Sequence, residues 1–555
     1  MKKFRRALSL VALTLTVTAC GGGGGGSSAG QTSSTSTGNV NVPAVSNDPG
    51  LTLDPSVLTA VVLQGDSLSV PVIAHANKNF PSFVNIGIVD TAGVLNTNPT
   101  IYGLDATTYR AMLTTSPKLA VGTYSGVIEV RLCKDFAVIC AQPHEGSPWK
   151  LPYSIEVRAP NLKTLSALPG AQDWTTFQGN KAHTGYVPVN LDVNSFSLRF
   201  LAKSNIKTAE SDIVTQGGIT SFVESDGYAA TNGNYIYTSA ITALDEATGS
   251  VKWTFPTSNY RLNSPAAENG KVYFVGDENG RQYFSVLDQA SGKQLAKVNS
   301  YSGTYTTYLA PVADEQSVIV PVSFSNGVAS FNPTTLSTNW LGSRVSDYSP
   351  NSDRWTAAMD TDFTYVYSKN SSADNSSVMV AFDRKNGQIA SRVANPDDKN
   401  SNDSLRSAPA ICSNKNLLMT RLGSYLTNFD MSSSKIKWGL RGEFNSNPVC
   451  TGTTFYIING KTIEARSLES GALQWTWALP SLENFVFSTR DTMPLNLILT
   501  NNVLLATSNS SVYAIDLGTH KTVWTYARSG YLSMSKNGVL YVRNFEGYVT
   551  AFNTH

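Results

Sequence analysis

The chain has 555 residues, of which 15% are charged, with 42 Lys and Arg against 40 Asp and Glu. That charge content is well below the usual quarter, and no basic cluster follows Arg6, which excludes nucleic acid as a partner. The length accommodates two or more domains, and no apolar run is long enough to cross a bilayer.

Residues 1–19 read as an export signal. Lys2, Lys3, Arg5 and Arg6 precede a short apolar run, Ala7 to Thr18, too short for a stable anchor. The run ends in Val17-Thr18-Ala19-Cys20. Small residues before a cysteine at this place resemble the lipobox of bacterial lipoproteins. The resemblance implies lipidation of Cys20 and cleavage before it, with several acyl chains each adding roughly 0.8 kcal/mol per buried CH₂. Residues 20–49 open with Gly21 to Gly26 and continue as a Ser/Thr/Gly tract. Such a composition cannot bury a core and predicts a flexible tether. No Asp follows Cys20, so the resemblance implies the outer membrane, on either its periplasmic or its outer surface.

Over residues 50–160 short alternating runs predict a β-sandwich with one buried face per strand. Examples are Tyr124-Ser125-Gly126-Val127-Ile128-Glu129-Val130 and Tyr153-Ser154-Ile155-Glu156-Val157. The stretch Gly122-Thr123-Tyr124-Ser125-Gly126 resembles a strand opening of bacterial immunoglobulin-like modules. Such a domain beside a tether would serve as a spacer or a binding module.

Besides Cys20 the chain has Cys133, Cys140, Cys412 and Cys450. An even number in an oxidising compartment predicts disulfides. Cys133 and Cys140 flank a short loop between two β-like runs and are expected to pair. Metal is the competing reading, but there is no CxxC and His144 is the sole nearby His, so no metal site is expected.

After a linker at 161–171, residues 172–555 are periodic. An apolar residue is followed by Asp or Asn, then Gly four later, then Trp eight later. Asp245 is followed by Gly249 and Trp253, Asp288 by Gly292, Asn332 by Trp340, Asp383 by Gly387 and Asp430 by Trp438. Ser467 stands in the Asp slot before Gly471 and Trp475, Asp516 precedes Trp524, and Asn553 begins the pattern again. The acid can bond amides of a turn, Gly supplies positive φ, and Trp can wedge against a neighbouring sheet. Each unit is the size of one four-stranded propeller blade.

The form Ala243-Leu244-Asp245-Glu246-Ala247-Thr248-Gly249-Ser250-Val251-Lys252-Trp253 resembles the repeat of propellers named after pyrroloquinoline quinone (PQQ). The opening Asp173-Trp174-Thr175-Thr176-Phe177-Gln178-Gly179-Asn180 and His183-Thr184-Gly185-Tyr186 is similar to that family's first segment. The expected fold is therefore all-β, a sandwich followed by a PQQ-like propeller. Phe196 to Leu201 would complete the last blade and leave no open edge. This count gives eight blades, or seven if the unit around Ser467 is not a full blade. Cys412 and Cys450 occupy equivalent places in successive units, either paired or as two buried thiols.

The family also contains quinone-dependent dehydrogenases, with adjacent cysteines, a calcium site and an Asp base. This sequence has no Cys-Cys pair. His75 and His144 fall in the first domain, His520 in a blade turn and His555 at the terminus. For His183, packing and hydrogen bonding are expected rather than catalysis. No cofactor and no catalytic residue are expected. The chain is similar to the propeller lipoprotein of the outer-membrane β-barrel assembly machinery, which implies envelope proteins as partners, in outer-membrane protein assembly or surface organisation, and the membrane through the lipid anchor. The Gly tract and the immunoglobulin-like domain depart from that lipoprotein and fit a general envelope or surface scaffold. Binding of a surface glycan or other extracellular ligand is the second reading, and a PQQ-dependent dehydrogenase the third.

Overall fold

The computed structural model describes residues 50–77, 84–96, 98–137, 139–204, 211–231, 234–257, 262, 264–278, 281–299, 310–322, 327–342, 354–370, 376–399, 406–413, 416–421, 424–480, 496–544 and 546–555. The expected signal, Cys20 and nearly the whole tether lie outside these residues. The chain divides into two compact units between Val157 and Arg158. Among the described residues the one helix is a 3-10 turn, Val193–Ser195, and no helix is long and apolar enough to cross a membrane.

The first unit has eight strands: β1 (Leu51–Asp54), β2 (Leu58–Leu63), β3 (Ser69–Ala76), β4 (Asn85–Val89), β5 (Thr100–Gly103), β6 (Thr108–Thr114), β7 (Gly122–Cys133) and β8 (Trp149–Arg158). They form two sheets, in the orders β1-β3-β6-β5 and β2-β8-β7-β4. Alternation decides the buried face. In β8, Leu151, Tyr153, Ile155 and Val157 are buried while the residues between them are partly or fully exposed. Each such aliphatic side chain contributes roughly 1.5–3 kcal/mol on full burial. Cys133 and Cys140 are disulfide-bonded, but Cys140 sits in a loop with φ 45° rather than at the end of a strand.

Among the described residues the second unit forms one short parallel pair, Arg354–Trp355 with Arg406–Ser407, and eight four-stranded sheets. Their innermost strands are Val214–Gln216, Ala266–Glu268, Val312–Ala313, Ala358–Met359, Ala410–Ser413, Val449–Cys450, Ile498–Leu499 and Tyr531–Met534. Seven sheets are simple antiparallel meanders. The eighth takes its outermost strand from β9 (Ser197–Lys203), which pairs with Tyr548–Asn553 through Phe200 opposite Ala551. Middle strands such as Val503–Thr507 are buried along their whole length, as strands between two packed layers should be, whereas the outermost strand Thr522–Tyr526 is largely exposed.

The repeated turn works as its spacing implies. Asp245 Oδ1 accepts from the Thr248 amide and hydroxyl, both at 3.1 Å. Asp288 does the same with Ser291, and Asp516 with Thr519. In the fifth sheet the Ser432 and Ser433 hydroxyls hold the Asp430 carboxyl down to about 2. Asp383 Oδ1 accepts from the Lys385 amide at 2.7 Å.

The sheets interlock through a second repeated contact. Trp253, Trp340 and Trp438 share one register on the outermost strands, opposite Ala243, Ser330 and Asn428. Each indole Nε1 donates to the residue after the Asp slot of the next sheet: Gln289 O at 2.9 Å, Arg384 O at 2.7 Å and Leu468 O, after Ser467, at 3.0 Å. Where β9 closes the eighth sheet, Phe200 holds this place and Gly249 leaves room for its ring. Phenylalanine has no N–H, and the adjacent Arg199 supplies the donors instead, Nε to Glu246 O at 3.0 Å and Nη2 to Ala247 O at 2.6 Å.

Candidate functional site

The segment 168–191 holds the sheets together from within. The Leu168 amide bonds Lys536 O of the eighth sheet. The Trp174 and Thr175 carbonyls then accept from Thr215 and Ala267, at the innermost strands of the first and second sheets. Thr176 Oγ1 donates to Pro311 O, just before the third. After a turn, Lys181, Ala182, Thr184 and Gly185 offer their carbonyls to Met359, Ile411, Cys450 and Leu499, at 2.8–2.9 Å. These belong to the fourth, fifth, sixth and seventh sheets. One continuous strap thus bonds at or beside the innermost strands of all eight sheets, passing from the eighth to the first and on round to the seventh. Consecutive carbonyls, Trp174 with Thr175, Lys181 with Ala182 and Thr184 with Gly185, serve successive sheets.

The strap's turn fills the space the strands surround. Trp174, Phe177, Gln178 and His183 are all buried at 2% exposure or less. His183 Nδ1 lies 2.6 Å from Phe177 O and Nε2 lies 2.8 Å from Ala357 O. Burial lowers its basicity despite these two carbonyls. Both nitrogens are engaged by backbone, so His183 spans the strap and the fourth sheet.

Asp212, beside the first innermost strand, is fully buried, and neither carboxyl oxygen accepts a hydrogen bond of ordinary length and angle among the described residues, although the Gln178 amide lies near. Burial pushes its pKa up to about 7, against the opposing pull of the Gln178 amide and the Arg543 charge. Arg543, also fully buried, donates from Nη1 to Ser211 O at 3.0 Å and Ser211 Oγ at 2.7 Å, and stands over the Phe222 ring at 4.5 Å. Burial lowers its pKa to about 10.

Beside the strap lies an open polar cleft of about 680 Å³. Asp173 and Lys181 of the strap line it with Glu268, at the end of the second sheet's innermost strand, and with Asp314, Glu315 and Arg384, from turns of the third and fourth sheets. Asp314 accepts from Lys181 Nζ at 2.8 Å and from Arg384 Nη2 at 2.7 Å. Burial raises its carboxyl, but Lys181 and Arg384 outweigh that and hold it below the usual range. Burial also raises Glu268, and the charges of Asp314 and Glu315 add to the effect. The lining sums to two negative charges, Asp173, Glu268, Asp314 and Glu315 against Lys181 and Arg384, and Lys536 Nζ at 3.8 Å from Asp173 offsets one of them, so the cleft has a mildly negative character.

A planar quinone bearing three carboxylates calls for several cations around an open slot. Among the described residues, the space at the strap's turn is packed with side chains and bordered by the carboxylate of Asp212. These residues do not fit such a group.

The predicted site residues are not gathered in one place. Asp245, Asp288, Asp383, Asp430 and Asp516 sit in separate turns, and Gly249 and the Trp residues lie at successive sheet contacts. Trp475 stacks on His520 at 4.2 Å, and Trp524 meets Phe196 and Phe552 edge-on. Cys412 and Cys450 are bonded across the innermost strands of the fifth and sixth sheets. Cys133 with Asp135 and Cys140 lie close enough to ligate a metal, but both thiols are consumed by their disulfide. Sequence reasoning singled out the strap motif without its geometry. It missed Lys181, Asp212, Asp314, Arg384 and Arg543, none of which falls in the repeated pattern.

Comparisons with known proteins agree with this architecture. No curated protein matches the chain. Solved structures similar in fold include BamB from Moraxella catarrhalis, at 13% identity and TM-score 0.43, covering 64% of this chain and 97% of that one. The quinohemoprotein alcohol dehydrogenase ADHIIG from Pseudomonas putida HK5 is similar at 11% identity and TM-score 0.47, covering 70% of this chain and 80% of that one. Quinohemoprotein alcohol dehydrogenase from Comamonas testosteroni is similar at 14% and 0.48, covering 69% and 81%. Likenesses of this size carry no statement of activity. The profile of the family described as outer membrane protein assembly factor BamB matches residues 163–369 and 374–555, from the strap to the last strand. The chain belongs to that family of PQQ-like β-propeller proteins.

Proposed function

We propose that this chain is a non-catalytic lipoprotein of the cell envelope, anchored through Cys20, whose eight-bladed propeller binds protein partners in outer-membrane protein assembly. The family match over residues 163–369 and 374–555 carries the reading. The strap supports it, since eight sheets tied to one segment make a rigid platform that need not reorganise on binding. The sheet orders β1-β3-β6-β5 and β2-β8-β7-β4 correspond to the two sheets of immunoglobulin domains, and support the first unit as an immunoglobulin-like spacer between tether and propeller. The excess of carboxylates in the cleft favours a partner segment bearing Lys or Arg.

The test is photo-cross-linking in living cells, with the reactive side chain placed at Glu315 in the cleft. Cross-links to a subunit of the β-barrel assembly apparatus are expected. Cross-links to glycan, or unchanged outer-membrane protein levels on deletion of the gene, contradict the reading.

A further inference from the structure

The first unit exposes large apolar side chains at one end. Phe136 is 72% exposed and Ile139 68%, in a loop closed by the Cys133–Cys140 disulfide. Tyr102 and Leu104, 52% and 41% exposed, flank the turn between β5 and β6. Strand register places both loops at the same end. Leu51 at the start of β1 pairs with Ala76 at the finish of β3, and the Ala76 amide bonds Thr107 O of the β5–β6 turn. Asn85 at the start of β4 pairs with Cys133. Residues just past β4 reach the opposite end, where Asn96 bonds Thr114 O and the Ser116 amide bonds Val94 O. The chain comes into the unit at this apolar end, with the Gly50 amide bonded to Asn77 Oδ1 at 2.7 Å.

Both loops are shaped before any partner arrives. Asp135 accepts from the Ala141 and Gln142 amides at 2.8 and 3.2 Å, and Asp105 from the Thr107 and Thr108 amides at 2.8 Å. Both carboxylates are bonded within their own loops, Asp105 while itself exposed, and Phe136, Ile139 and Lys134 are exposed beside them. Apolar side chains beside a cation suit the interface of a bilayer carrying anionic headgroups.

We infer that this end of the first unit rests on a lipid surface, with Phe136 and Ile139 inserted. The inference rests on the proposed lipid anchor, because that anchor selects a bilayer over a protein pocket. A coil of about 30 residues reaches about 30 Å end to end, so lipidation at Cys20 would hold the end at which Gly50 enters at a high effective concentration near the membrane.

The experiment uses the chain from residue 21, which has no lipid, sedimented with vesicles of phosphatidylethanolamine and phosphatidylglycerol. Measurable partition at millimolar lipid is expected, and Phe136→Ser with Ile139→Ser reduces it about tenfold. An intact Cys133–Cys140 bond and unchanged melting exclude misfolding of the variant. Absence of partition, or equal partition of the variant, overturns the inference. Binding that appears only when envelope proteins are added to the vesicles also overturns it, in favour of a protein pocket. The mass of the mature N-terminus reads the lipid anchor separately, so failure of the anchor and failure of the tips are distinguishable.

Discussion

The indole ring of Trp340 lies against the backbone of Gly387 in the next sheet, so closely that a Cβ on Gly387 would stand 2.6 Å from the ring. Gly387 has φ 73°, a conformation that glycine adopts without a Cβ penalty. One residue thus serves both the turn and the sheet contact. At the equivalent contact between the second and third sheets the sizes are exchanged. Ala296 stands in the register of the Trp, and Leu336, at φ 59°, stands in the place of the Gly. Between the fourth and fifth sheets Ser391 and Ser434 fill the two places, with their hydroxyls 2.9 Å apart.

This complementarity makes Ala296→Trp destabilising by about 1–3 kcal/mol, the usual range for overpacking. Adding Leu336→Gly should restore part of that loss. Urea unfolding of the two single variants and the double variant gives the coupling, and simple additivity would refute the exchange of sizes.

Arg199 is 1% exposed and donates to Glu246 O, Ala247 O, Lys163 O and Asn553 Oδ1. It ties β9 to the first and last sheets at the seam of the ring. Arg199→Ala should cost about 3 kcal/mol or more, because several buried carbonyls lose a charged donor at once. Hydrogen exchange should quicken first along Tyr548–Asn553. Uniform change over the whole unit would argue against a local clasp.

Asp212 has its pKa raised to about 7 from an ordinary 3.8. A raised value means that the folded state holds the proton more tightly than the unfolded chain. The contribution to stability is therefore full below pH 3.8 and is lost as pH rises towards 7, at roughly 1.4 kcal/mol per unit crossed. Asp212→Asn removes that slope. Its melting temperature relative to the parent should be higher at pH 7.5 than at pH 4.5, and a constant difference would contradict the assignment.

The Cys412–Cys450 bond closes a separation of 38 residues and Cys133–Cys140 one of seven. Chain entropy then assigns about 4 kcal/mol to the first and about 2 kcal/mol to the second. Replacing each pair by Ser and measuring denaturant midpoints should give the larger loss for the pair at 412 and 450.

The propeller was legible because its turn chemistry repeats: Asp245, Gly249 and Trp253 mark one sheet, and their counterparts mark the others. The closing role of β9 followed from a last repeat that ends at Asn553. The sheet contacts were less legible. Leu336, Ser434 and His520 occupy the Gly place at positive φ, and only alignment four residues after each turn acid would have revealed them. The strap's path was not legible, since its bonds are made by backbone carbonyls, which any residue supplies. Asp212 and Arg543 lie outside the repeated spacing, and their burial depends on contacts between residues more than 300 positions apart.

On the proposed reading the strap rather than a cofactor fills the heart of the ring, and partners bind on the surface. Calorimetric titration of the folded chain with pyrroloquinoline quinone and calcium, followed by a dye-reduction assay with alcohols and sugars, tests it most directly. The account predicts no heat of stoichiometric binding and no dye reduction. Binding at one quinone per chain, with turnover, would contradict it and make this an enzyme.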